Sequence, residues 1–272
     1  MRVYTSKAEL STFIFKQNTF SFSLGFVPTM GALHAGHLSL VKAALAENSL
    51  VVVSIFINPT QFDNPNDLNT YPQTLTEDIQ LLETLSKSTI LVYAPTIEDV
   101  YGSKIKVEHF DFGGLEFQME GKFRKGHFDG VATIVCKLLN IVRPDTAFFG
   151  LKDYQQFLII KKLVSDLALN VDIRGVEIVR DSNGLALSSR NNYLSNDDIV
   201  KASNIYRCLQ ETAGKIRDKN RDFRKIEIWA KAQLSNAGLR PDYFAICESH
   251  SLLPANEDDT QLVVLAAAYV GS

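Results

Sequence analysis

Cysteine is scarce in this chain of 272 residues, with only Cys136, Cys208 and Cys247. An odd number, widely spaced and without a CxxC pair, excludes a disulfide framework and a thiolate zinc site. Each lies in an apolar-periodic stretch and is expected to be a buried thiol. Long hydrophobic runs are missing too. The longest, residues 50–57 and 262–270, fall far short of the roughly 20 residues a spanning helix needs, and they read as buried strands. The N-terminal stretch lacks the basic head and apolar core of a secretory signal. Charge of one sign is absent as well: 28 Lys and Arg stand against 31 Asp and Glu, a net −3. That balance gives no global basic surface for nucleic acid or an anionic membrane. With neither GxxxxGK[ST] nor GxGxxG, Walker-type phosphate binding and the dinucleotide fingerprint are excluded. The expectation is a soluble, cytoplasmic globular protein whose positive potential, if any, is local.

What the chain does have is ordinary globular substance, 46% apolar and 22% charged, enough for a folded core. At about 150 residues per domain, its length corresponds to roughly 1.8 domains. Apolar runs alternate with helical periodicity through the first two-thirds. Strands are predicted at 22–27, 51–57, 90–93, 146–149 and 171–179, and helices at 37–47, 77–85, 131–141 and 154–169. The β-branched run at 51–57 suits a strand buried on both faces. Strand–helix alternation of this kind predicts an α/β fold: an open parallel, Rossmann-like sheet with helices on both faces. After residue 179 the texture changes. Ser195 and Asp198 suggest a capping box for a helix running to residue 216, and a second helix ends near Gly238. Strands at 243–247 and 262–269 close a smaller C-terminal α+β unit. The expected division is residues 1–178 and 179–272.

Four clusters carry chemistry. Residues 28–37 (PTMGALHAGH) follow a strand and open a helix, so they lie where ligands bind in open α/β sheets. Gly31 and Gly36 permit close backbone approach, and the helix N-terminus favours a phosphate. His34 and His37, two of the chain's five histidines, share a face three residues apart. They can donate hydrogen bonds to an anion, and one can protonate a leaving oxygen. At the end of the next strand, Asn58 and Gln61 offer amides beside aromatic walls, suited to a small polar acid or to an ordinary Asn-Pro turn. Gly150, Leu151, Lys152 and Asp153 follow a later strand, with Lys152 the natural partner of a polyphosphate. At the unit junction, Ser188, Ser189 and Arg190 form a phosphate clamp. Residues 120–130 look like a gate with charge of both signs, and residues 66–72 like a turn-rich lid.

The HxGH spacing at His34 and His37 resembles the signature of nucleotidyltransferases, including class I aminoacyl-tRNA synthetases. It implies attack on an α-phosphate with loss of pyrophosphate. Taken with FINPTQF, DLNTYPQT, GHFDGVATIVCKLLNIVRPD, FFGLKDYQQ and GLALSSRNNYLS in order, PTMGALHAGHLSLV resembles the pantoate–β-alanine ligase family. The resemblance implies that pantoate is adenylated by ATP with Mg²⁺ and that β-alanine then displaces AMP. By motif match, Met30, Gly31, Ala32, Leu33, His34, Ala35, Gly36 and His37 line the ATP site, with His37 as proton donor. Gly150, Leu151, Lys152, Asp153, Val179, Leu187, Ser188, Ser189 and Arg190 also contact ATP, and no residue is assigned as a metal ligand. Gln61 holds pantoate and β-alanine, Gln156 holds pantoate, and Asn58, Tyr71, Glu120 and Arg124 line the rest. A homodimer and a C-terminal lid over a water-labile adenylate are implied as well. Ala35, Leu151, Lys125 and Gln73 depart from residues common in the family, and none removes a reacting group. A nucleotidyltransferase with another acceptor and a nucleotide-binding regulator without turnover remain as alternatives.

Overall fold

The computed structural model describes residues 1–17, 22–62 and 64–271. They form two compact units, Met1–Ile178 and Val179–Ser272. In chain order the first unit contains β1 (Arg2–Tyr4), α1 (Lys7–Gln17), β2 (Leu24–Thr29), α2 (Ala35–Glu47) and β3 (Leu50–Ile55). Then come α3 (Pro65–Thr70), α4 (Leu75–Glu83), β4 (Ile90–Tyr93), α5 (Ile97–Tyr101), α6 (His127–Val142), β5 (Thr146–Gly150), α7 (Tyr154–Asp166) and β6 (Asp172–Val176). The strands make one six-stranded sheet in the order β1-β4-β3-β2-β5-β6, parallel at every pairing. The Rossmann-like α/β architecture is as expected.

The core follows from the sequence of the central strands. β3 (LVVVSI) and β4 (ILVY) are buried along nearly their whole length, as β-branched strands covered on both faces should be. Val27, Val41, Ala44, Val51, Val53, Leu82, Val92 and Phe148 pack into one cluster. Proline in a central strand normally costs a ladder hydrogen bond, yet β2 contains Pro28. The pairing explains why it is tolerated. β2 and β3 stay in register through Thr29 and Ile55, whereas β2 and β5 pair only at Gly25 and Phe26. Pro28 lies beyond the last β2–β5 rung, so the two strands separate before their carboxyl ends. The chain also reverses its direction of sheet growth at β2 and β5, so this is the crevice where open α/β sheets bind ligands.

Several local expectations need correction. Residues 66–72 are not a bare turn. Asn64 caps α3 through its side chain, with Pro65 at the first helical position, where a missing N–H costs nothing. Strand 171–179 is shorter, ending at Val176, and β1, α1 and α5 escaped the periodicity reading because they are short or weakly patterned. Cys136 is only partly buried, while Cys208 and Cys247 are buried.

In the second unit, the single helix expected to run to residue 216 is two: α8 (Asn196–Ala202) and α9 (Asn204–Arg217). The Ser203 hydroxyl donates back to Val200 O at 2.6 Å, the local competition with helix bonding that serine offers. Ser195 caps α8, accepting from Asp198 N–H and donating to the Asp198 carboxylate. α10 (Phe223–Asn236) precedes the antiparallel pair β7 (Arg240–Glu248) and β8 (Leu262–Tyr269). Cys208, Ala230, Leu234 and Phe244 make its core.

Candidate active site

After β2 the chain turns with Gly31 at φ +84° and Ala32 at +50°, a left-handed pair that glycine adopts freely and alanine does not. Asp78, from the first turn of α4, holds this turn from behind. Its Oδ2 accepts the Ala32 N–H at 3.0 Å and its Oδ1 the Leu33 N–H at 2.7 Å. The Thr74 hydroxyl donates to Oδ2 at 3.3 Å. Burial pushes the Asp78 carboxyl pKa upward, against the pull of those hydrogen bonds. A Cβ on Gly31 would lie 3.0 Å from Asp78 Oδ2 and 3.1 Å from Ile55 Cγ2. The glycine is therefore needed for the close packing of the turn on Asp78 and Ile55.

The turn delivers His34 as the N-cap of α2 and His37 three residues on. His34 Nδ1 accepts the Gly36 N–H at 3.1 Å, and His37 Nδ1 accepts the His34 N–H at 3.3 Å. The pair reproduces the reciprocal logic of a capping box with two imidazoles, their ring centroids 4.1 Å apart. Because each Nδ1 is an acceptor, each neutral ring carries its proton on Nε2. Burial, then the neighbouring His34 and Lys152, lowers the His37 pKa to about 3. Burial and Lys152 lower that of His34 also. Both rings are thus neutral donors at pH 7. This modifies the reading of His37 as a proton donor, since the free protein gives it no extra proton to transfer.

Lys152 comes from the neighbouring strand end. Gly150 closes β5, and Leu151–Asp153 form a single 3-10 turn before α7. Lys152 is exposed and pairs with Asp153 at 3.2 Å, a weak surface contact, so its ammonium can turn to an anion at low cost. Leu151 lies against Gly175, where a Cβ would approach within 2.6 Å of Leu151 Cδ2, so this departure from the family packs on β6.

At the end of β3, Asn58 and Gln61 join the histidine turn: Gln61 Nε2 donates to Met30 Sδ at 3.0 Å. The Gln61 carbonyl accepts from His127 Nδ1 at 2.7 Å and from Arg124 Nη2 at 3.3 Å. α6 presses close here, for a Cβ on Gly130 would sit 2.1 Å from Thr60 O. Tyr71 is buried edge-on to Phe62, 5.7 Å between centroids. Residues 120–130 run from a 3-10 turn (Met119–Lys122) into the first turn of α6. Buried Gln155 donates to Leu115 O and Gln118 O at 2.7 and 2.8 Å and accepts the Glu120 N–H at 3.0 Å. Gln156 follows it in α7, half-buried. Asp78 and Tyr101 are not singled out by the sequence, while His127 and Gln155 lie inside stretches it marks, without a role of their own.

Val179, Leu187, Ser188, Ser189 and Arg190 belong to the second unit. An antiparallel bridge pairs Arg180 with Ala186, and Asp181 Oδ1 accepts from Asn183 and Leu185 N–H at 2.8 and 2.9 Å. Ser188 caps the following 3-10 turn by accepting the Arg190 N–H at 3.3 Å, Ser189 is buried, and Arg190 is exposed. The junction is thus a shaped turn.

Residues 2–272 match the family model described as pantoate–β-alanine ligase. A pantothenate synthetase of Methylococcus capsulatus is 46% identical over 272 residues, covering 100% of this chain and 94% of the relative. The crystal structure of pantothenate synthetase from Thermus thermophilus superposes with a TM-score of 0.89 at 37% identity, covering 99% of this chain and 98% of that one. The Francisella tularensis pantoate–β-alanine ligase, solved with a β-γ ATP compound and β-alanine, matches with a TM-score of 0.78 at 35% identity, over 99% and 97% of the chains. With its family match spanning nearly every residue, the chain belongs to the pantoate–β-alanine ligases and is an ATP-dependent ligase that forms pantothenate.

Proposed function

We propose that the ligation runs through an acyl adenylate formed at the β2/β5 crevice. The pantoate carboxylate attacks the α-phosphate of ATP, making the acyl–phosphate bond and expelling pyrophosphate. The amine of β-alanine then attacks the activated carbonyl, loses a proton and expels AMP, leaving pantothenate. The observation that carries this reading is the meeting of His34 and His37 with the charge of Lys152 at the carboxyl ends of the central strands β2 and β5, with Gln61 joined to Met30 beside them.

Negative charge grows on the α-phosphate and on the departing pyrophosphate, so preorganised donors give the largest stabilisation. The two Nε2–H groups, the α2 N-terminus and Lys152 supply them. Residues 30–37 and Gly150, Leu151, Lys152 and Asp153 are assigned to ATP. The motif alone assigns Val179, Leu187, Ser188, Ser189 and Arg190 to it. A bound polyanion raises the His37 pKa, so His37 becomes a proton donor only after the nucleotide arrives. Gln61 and Gln156 hold pantoate, Gln61 also β-alanine, and Tyr71, Glu120 and Arg124 complete the lining; Asn58, assigned there by the motif, is buried behind Gln61 with its amide engaged by Gln61, Gly130 and Tyr101. Among the described residues no cluster of three or more His, Cys, Asp or Glu is placed to hold a metal. Mg²⁺ fits without one, since it binds mainly through water and substrate phosphates. It would sit on the ATP phosphates and would neutralise charge there, with no protein carboxylate assigned to it. The resemblance supports a cytoplasmic homodimer, which equilibrium sedimentation tests.

The deciding experiment is isotope exchange between pyrophosphate and ATP without β-alanine. Exchange that requires pantoate is the expected result, with AMP and pantothenate formed once β-alanine is added. ADP as product, or exchange independent of pantoate, would overturn the adenylate pathway.

A further inference from the structure

Asn58 is 1% exposed, and its environment leaves its amide one orientation. On one side Gly130 O, which can only accept, takes a hydrogen bond from Asn58 Nδ2 at 3.3 Å. On the other, the Thr60 N–H, which can only donate, points at Asn58 Oδ1. The Tyr101 hydroxyl, at the end of α5, donates to the same Oδ1 at 2.6 Å, and the Thr60 hydroxyl lies 3.0 Å from it. Thr60 has one hydroxyl proton and Gly130 O, at 3.3 Å, competes for it. The Tyr101 proton has no such alternative acceptor of comparable strength: its other contact is the Thr60 hydroxyl at 3.2 Å. Burial raises the Tyr101 pKa, so the phenol keeps its proton.

With Asn58 fixed, Gln61 is fixed in turn. Asn58 Nδ2 donates to Gln61 Oε1 at 3.0 Å, which turns the Gln61 N–H₂ away from the relay, towards Met30 Sδ. A thioether is a weak acceptor. The amide protons of Gln61 are therefore oriented but poorly satisfied, next to the turn that carries His34 and His37.

We infer that Tyr101 is a positioning residue for pantoate recognition, acting through Asn58 to hold Gln61 as an outward hydrogen-bond donor. The inference rests on the assignment of Gln61 to pantoate. It specifies the ligand atom as an acceptor, a carboxylate or hydroxyl oxygen, and excludes an ammonium group from that position. Tyr101 touches no substrate in this scheme and sets only the polarity of the residue that does.

Steady-state kinetics on the full chain test it with Tyr101→Phe, Gln61→Ala and the double variant. Tyr101→Phe should raise the pantoate KM about 3- to 10-fold, the effect of one hydrogen bond, and leave the ATP KM within about 2-fold. In the Gln61→Ala background, Tyr101→Phe should add nothing, because the group it orients is gone. An equal effect in both backgrounds, a matching rise in ATP KM, or an unchanged pantoate KM in Tyr101→Phe while Gln61→Ala raises it would each overturn the relay. If Gln61→Ala itself leaves the pantoate KM unchanged, the assignment of Gln61 falls and the relay with it. Should Tyr101→Phe fail to fold, Asn58→Asp, which keeps the acceptor for Tyr101 but removes the Nδ2 donor to Gln61 Oε1, takes its place in the same cycle, and an unchanged pantoate KM there would overturn the relay.

Discussion

Gly130→Ala is the smallest perturbation that should disable the substrate turn while leaving its polar residues in place. The added Cβ would stand 2.1 Å from Thr60 O, 2.6 Å from Thr60 C and 3.0 Å from Gln61 Cα. These are backbone atoms, so no side chain can swing aside. Ordinary contact starts at 3.4 Å, so α6 and the Thr60–Gln61 turn must part by about 1 Å, an overpacking strain of about 1–3 kcal/mol. The parting pulls on the bond from Asn58 Nδ2 to Gly130 O and on that from His127 Nδ1 to Gln61 O. A misplacement near 1 Å costs about 10²-fold in rate, so kcat/KM for pantoate should fall by about that factor. At about 2–4 °C per kcal/mol for a unit of this size, Tm should drop by roughly 2–12 °C. Pyrophosphate exchange across a pantoate series and a calorimetric scan measure the two quantities. A variant with wild-type kcat/KM and Tm would refute the claim that contact with α6 sets the Gln61 position.

Two further outcomes follow from the histidine turn. In the ligand-free protein, ¹⁵N NMR should find both rings in the Nε2–H tautomer, with His37 untitrated from pH 8 down to about 4, since its pKa lies at about 3. Because that value is below the unfolded one, the unfolded chain binds the proton first; the His37 contribution to stability is whole above about pH 6.5 and is lost as pH falls towards 3. Asp78→Asn keeps the shape but sets an amide N–H₂ against either the Ala32 or the Leu33 N–H, replacing one of the two hydrogen bonds with a donor–donor contact. Urea unfolding should show a loss of about 1–3 kcal/mol, and an unchanged midpoint would remove Asp78 as the anchor of the turn.

The central strands were legible because burial on both faces leaves a mark in the sequence. The run at 51–57 lies within two residues of β3, and 90–93 coincides with β4. His34, His37, Lys152, Asn58 and Gln61 were legible because each follows a strand end within a few residues. Their supports were not. Asp78 lies 46 residues from Ala32, Tyr101 lies 43 from Asn58, and His127 lies 66 from Gln61. Only the sheet order brings them together, and no local pattern marks an aspartate in a first helical turn as a clamp rather than a favourable charge at the helix dipole. The tautomers of the histidines were hidden for a related reason. Spacing places two rings on one face, but which nitrogen is occupied depends on backbone amides whose directions exist only once the turn has folded.

Those amides also explain why imidazole is used at this helix start. An N-cap must supply an acceptor to an unpaired N–H, and Asp, Asn or Ser ordinarily does so. A polyphosphate at the same helix end needs donors and repels a carboxylate. On the proposed function, His34 meets both demands with two atoms of one ring, Nδ1 accepting from Gly36 N–H and Nε2–H serving the anion. His37 takes the place at the third helical position where a capping box usually carries glutamate, again without a negative charge. Capping and catalysis can therefore be separated. His34→Asp keeps a strong cap, so chemical unfolding should change by less than about 1 kcal/mol. It also replaces a donor with an anion at the phosphate end, so pantoate-dependent pyrophosphate exchange should fall about 10²-fold or more. A His34→Asp variant that exchanges at the wild-type rate would show that His34 serves the helix alone. A variant that loses stability and activity in proportion would show that the cap, not the Nε2–H donor, is what the reaction needs.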